Sequence, residues 1–89
     1  MEFSKSELTK LLLDTYDYPR DVVDVAVEQL LNMSEIGKQS LKHLIETRNL
    51  PDIECNGISL NQIKKQKPDH SDIALIIIFD GFIRMTSKL

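Results

Sequence analysis

"SDIALIIIFDGFIRMTSKL", residues 71–89, decides the fold. Seven apolar residues run unbroken from Ile73 to Phe79, an Asp-Gly pair follows, and a second apolar stretch comes after it. Asp-Gly between β-branched runs is a hairpin signal. The second arm argues against a hairpin, because Arg84, Thr86 and Ser87 do not keep a period of two. On a helix, Asp72, Asp80, Arg84 and Lys88 fall on one narrow stripe, and every other side chain is free to be buried. Asp80 and Arg84 stand at ion-pair spacing. Gly81 costs about 1 kcal/mol inside a helix. Burial of large apolar side chains, at about 1.5–3 kcal/mol each, offsets that. The pattern predicts a helix over 71–86, with Ser71 or Asp69 as its cap.

The rest of the chain supplies four more helices. "FSKSEL" sets Ser4 and Glu7 at capping-box spacing, and Phe3 and Leu8 at staple spacing. This predicts a helix from about Lys5 to Tyr16. Pro19 starts a second helix that runs to about Leu31, with Val23, Ala26, Val27, Leu30 and Leu31 as its apolar stripe. Asn32 and Glu35 open a third, with Ser34 as a rival cap. It ends at Arg48, with Asn49 in the left-handed position and Pro51 as the stop. Asn56-Gly57 could close a very short hairpin. Ser59 and Gln62 favour a short fourth helix over about 60–66 instead.

The expected fold class is therefore all-α: a single domain over 1–89, a compact five-helix bundle with the C-terminal helix packed centrally. The alternative is α+β. In it the last helix stops at Asp80 and "FIRMTS" runs on as a strand, so that residues 59–87 resemble a winged-helix unit.

Bulk properties narrow the function. Eighty-nine residues make one small domain. The net charge is −3. Residues 1–32 carry seven acids and three bases, and residues 33–89 carry seven acids and eight bases. The acid excess is N-terminal, and no stretch is basic enough for strong non-specific nucleic-acid binding. The single cysteine, Cys55, forms no intrachain disulfide and suits a reducing, cytoplasmic setting. The N-terminus has no signal-peptide pattern, and a seven-residue apolar run is too short to span a bilayer. The terminal Ser87-Lys88-Leu89 matches a peroxisomal address, an alternative location if it is a natural eukaryotic C-terminus.

Catalytic and metal signatures are sparse. His43, His70 and Cys55 lack the close pairing of zinc ligands. No glycine-rich phosphate loop precedes a Lys-Ser or Lys-Thr pair. The acids of "DTYDYPRDVVD" do not follow the alternation of a calcium loop. No metal, cofactor or enzymatic activity is expected. Asp14, Tyr16, Asp17, Tyr18, Asp21 and Asp24 form a candidate interaction patch, in which tyrosines among charges offer apolar area with polar tips. Lys64, Lys65 and Lys67 form a candidate basic patch.

The outline resembles helical adaptor domains of the death-like or effector-associated kind, at the level of fold class. The expected function is a non-enzymatic, adaptor-type protein–protein interaction domain. Its partner is another protein or a second copy, held weakly and in a salt-sensitive way. The alternative is a winged-helix-like DNA-binding regulator. The apolar "IALIIIF" weakens it, since a reading helix needs polar side chains for bases and phosphates.

Overall fold

The computed structural model describes residues 4–87. It contains five helices, α1 (Lys5–Asp14), α2 (Arg20–Leu31), α3 (Glu35–Thr47), α4 (Leu60–Gln66) and α5 (Asp72–Ser87), with one two-stranded ribbon, β1 (Glu54–Cys55) and β2 (Ile58–Ser59). The fold class is all-α. The chain divides into two compact units, residues 1–32 and residues 33–89.

The first unit is a helix pair. Ser4 Oγ accepts the Glu7 amide at 3.1 Å and caps α1. Helix α1 ends two residues earlier than the pattern predicts. The chain turns back on itself there, with Tyr16 N–H donating to the Leu11 carbonyl and Tyr18 N–H to the Leu12 carbonyl. Asp17 takes a left-handed φ of 52° in this turn. Pro19 occupies the N-cap of α2, one position before the first helical turn. Leu8 and Leu12 of α1 and Val23, Ala26, Val27 and Leu30 of α2 are buried, and the two helices pack together. Asn32 closes α2 by donating its side-chain amide to the Glu28 carbonyl at 2.8 Å.

In the second unit the rival cap wins, and Ser34 starts α3 by accepting the Gly37 amide at 3.3 Å. The left-handed residue at its far end is Arg48 (φ 61°), not Asn49. The reason is local. Asn49 donates its side-chain amide to the Thr47 carbonyl at 3.2 Å and its backbone amide to Thr47 Oγ1 at 3.2 Å, so the turn is drawn one residue earlier. Between α3 and α4 both sequence signals are realised together. Asn56 (φ 54°) and Gly57 (φ 79°) are both left-handed, as a type I′ turn requires, and pair Glu54 with Ser59 and Cys55 with Ile58. Ser59 then ends the ribbon and caps α4 by accepting the Gln62 amide at 3.4 Å.

Helix α5 runs through Asp80-Gly81 without interruption, and Ser71 Oγ caps it by accepting the Ala74 amide at 3.2 Å. No strand forms over 82–86, so the winged-helix outline is overturned. Helix α5 is central to its unit and touches α3, α4 and β2. Ile73, Leu75, Ile76, Phe79 and Ile83 are buried. Two expectations about its faces fail. Asp80 is buried, with 4% exposure, whereas Phe82 and Met85 are exposed. Lys88 of the expected polar stripe lies outside the described residues.

Gly81 sits mid-helix with no heavy atom within 4 Å of a built Cβ. Gly81→Ala should therefore stabilise the protein by about 0.5–1 kcal/mol through backbone entropy alone. Urea unfolding checks this, and a loss of stability would mean that the space beside Gly81 is filled.

Candidate interaction surfaces

Three features of the described residues have the makings of function. The first is a buried polar node inside the second unit. Asp80 Oδ1 accepts both the Ser34 amide (2.8 Å) and the Ser34 hydroxyl (2.5 Å). Asp80 Oδ2 pairs with Arg84 Nε at 2.9 Å, as its i,i+4 spacing predicts. The carboxylate thus sits at the N-terminus of α3, where the helix dipole favours negative charge. Its bonds to Ser34 and Arg84 are internal, and Arg84, 44% exposed, spends its Nε on this pair. This node fastens α5 to α3; it is structural.

The second feature is the acidic surface of the first unit. Asp14 is the exposed last residue of α1, Asp17 lies exposed in the turn, and Asp21 and Asp24 are exposed on α2. Tyr16 and Tyr18 are half-buried, and both already have contacts within the protein. Their value as free anchors is correspondingly reduced. The sequence pattern missed two better candidates, Val22 (42% exposed) and Val25 (62% exposed). A helical wheel could have found them. The buried stripe of α2 fills one side, so Val22 and Val25 turn outward beside Asp21 and Glu28. Glu28 makes only a long, solvent-exposed ion pair with Lys5, at 3.8 Å.

The third feature is a groove in the second unit. Ile58, Ser59 and Gly57 of the ribbon form one wall, Gln62, Ile63 and Gln66 of α4 a second, and Phe82 of α5 a third. Its volume is about 200 Å³. The walls are tied together, because Asn56 at the ribbon's tip donates its side-chain amide to Thr86 Oγ1 of α5 at 3.0 Å. Lys64 and Lys65 are exposed on α4, and Lys67 is half-buried just past its end. None of the three is among the residues that line the groove.

Among the described residues, no group of three or more His, Cys, Asp or Glu side chains could hold a metal ion, and no helix is long and apolar enough to cross a membrane. Lys88 and Leu89 of the terminal tripeptide lie outside the described residues. No protein-family model, curated protein or solved structure matches the chain.

Proposed function

We propose that the chain is a non-enzymatic protein–protein interaction domain of the adaptor type, working in a reducing, cytoplasmic setting. One observation carries this reading: large apolar side chains stand exposed among charges. Val22 and Val25 lie beside acids on α2, and Phe82 lines the groove of the second unit. Apolar anchors rimmed by charge are the usual anatomy of a protein interface. The groove adds to this. At about 200 Å³ it is smaller than the roughly 300–1,000 Å³ of small-molecule sites, and suits one or two inserted side chains.

The test places a photo-crosslinking amino acid at Val25 in cells making the protein, with the same group at exposed Gln39 of α3 as control. Position 25 should give a discrete protein adduct and position 39 none. Equal labelling from both positions would argue against a defined interface. The competing reading, a DNA-binding regulator, is judged separately by titration with duplex DNA at about 150 mM salt. Micromolar binding there would replace the interaction reading.

A further inference from the structure

Asn56 is the one asparagine of the chain that precedes a glycine; Asn32, Asn49 and Asn61 precede Met33, Leu50 and Gln62. Asparagine is chemically labile, and most so in this setting. Gly57 has no side chain to shield its backbone nitrogen, which can attack the Asn56 side-chain carbonyl and close a five-membered ring. Both residues are exposed at the tip of the ribbon.

Two features of the fold oppose that reaction. Asn56 (φ 54°) and Gly57 (φ 79°) form the type I′ turn, in which ψ of the first central residue lies at about +30°. At that angle the Gly57 nitrogen stands anti to the Asn56 Cβ across the Cα–C bond, whereas ring closure needs the two nearly eclipsed. The Asn56 side-chain amide is also tied down, since it donates to Thr86 Oγ1 of α5 at 3.0 Å. Yet the ribbon has only two residue pairs, and a hairpin that short opens readily.

We infer that Asn56 is a deamidation site gated by the ribbon: it converts while the turn is open, and its conversion weakens the tie between ribbon and α5. In the open ribbon Asn56 rotates about ψ. The Gly57 nitrogen bonds to Asn56 Cγ and gives up its proton. The Cγ–Nδ2 bond breaks, and Nδ2 takes a proton through solvent and leaves as ammonia. Water then opens the succinimide. Its attack on Cγ gives aspartate, and its attack on the Asn56 backbone carbonyl gives isoaspartate. In each case the bond from the attacked carbon to the Gly57 nitrogen breaks, that nitrogen regains a proton, and the new carboxyl group releases one. Nothing is oxidised or reduced, and water is the sole co-reactant.

Both products disturb the tie. In aspartate an oxygen replaces the donor nitrogen and meets Thr86 Oγ1, whose own proton goes to the Ile83 carbonyl at 2.9 Å. Thr86 then keeps at most one of its two bonds. In isoaspartate Cβ enters the main chain, so the two-residue turn no longer fits. Gly57, Ile58 and Ser59, the ribbon wall of the groove, are then no longer held toward α5.

Peptide mapping by mass spectrometry tests this on the full chain at neutral pH and physiological temperature. It follows the amide-to-acid mass change at Asn56, with Asn32, Asn49 and Asn61 as controls in the same digest. Asn56 should convert measurably in the folded chain, and at least about tenfold faster in the urea-unfolded chain. Thr86→Val removes the acceptor at nearly constant size and should speed the folded-state reaction at least about threefold. Thr86→Ser keeps the hydroxyl and should stay within about twofold of the parent. Should Thr86→Val fail to give the helical circular dichroism of the parent, amide exchange at Ile58 replaces it, and the purified deamidated chain should exchange there at least about threefold faster than the parent. Equal rates in the folded and unfolded chains, or a folded Thr86→Val chain no faster than the parent, overturn the gating. A folded chain whose Asn56 stays intact while the unfolded chain converts completely overturns the site. Equal exchange at Ile58 in the parent and deamidated chains overturns the loosening of the ribbon.

Discussion

Replacing Asp80 with Ala should lower the unfolding free energy by about 2–4 kcal/mol. The carboxylate accepts the Ser34 amide and hydroxyl and pairs with Arg84, so truncation removes three interactions at once. The costs are unequal. Arg84 is 44% exposed and recovers water, so its lost pair counts for little. The part-buried Ser34 amide loses its acceptor, and leaving such a donor unpaired is expensive. The Ser34 hydroxyl loses the acceptor that holds its proton, which loosens the oxygen offered to Gly37. Relief of the desolvation cost of Asp80 itself offsets part of this. Asp80→Asn keeps an acceptor toward Ser34 and gives up the charge, so it should cost roughly half as much. Urea denaturation followed by circular dichroism measures both. A loss below about 0.5 kcal/mol for Asp80→Ala would show that the node does not hold α3 to α5.

Gly37→Ala should also destabilise, by about 1–3 kcal/mol net, although alanine is the better helix former. A Cβ at Gly37 would stand 2.7 Å from Asp80 Oδ1 and 3.1 Å from both Met33 Cβ and Met33 Sδ. A side-chain oxygen could ordinarily swing aside. This one is pinned by two bonds from Ser34, so the methyl group must displace the carboxylate, the start of α3, or both. The same substitution at Gly81 meets open space and should act with the opposite sign. Measured side by side, the two alanines separate helix propensity from packing. A gain in stability at Gly37 would mean that Asp80 does not lie against that glycine.

Local chemistry made much of the fold legible. Ser4, Ser59 and Ser71 each cap the helix that their spacing announces, and the period of "IALIIIFDGFIR" outweighed its Asp-Gly pair. What stayed hidden was non-local. Asp80 four residues before Arg84 looks like a surface ion pair, and nothing near it in sequence shows that its main partner is Ser34, 46 residues away. Once Asp80 turns inward, Phe82 and Met85 turn outward, so both errors in the faces of α5 share a cause. The short ribbon and α4 looked like rivals because each claims Ser59, yet one residue can end a strand and cap a helix at once. The groove was illegible for the same reason as Asp80: its walls come from three elements that only folding brings together.

The bond between Ser34 and Asp80 also sets an order of events in the folding of residues 33–89. Before α5 docks, the Ser34 hydroxyl gives its proton only to water, so the oxygen it offers to Gly37 is less firmly oriented. Closing a loop of that length costs entropy before any contact rewards it. Docking of the apolar flank of α5 carries Asp80 in on the same helix as Phe79 and Ile83. The start of α3 becomes rigid late, as a result of tertiary docking rather than as a precondition for it. The start of α3 is thus secured only once the chain through Asp80 has been made and docked.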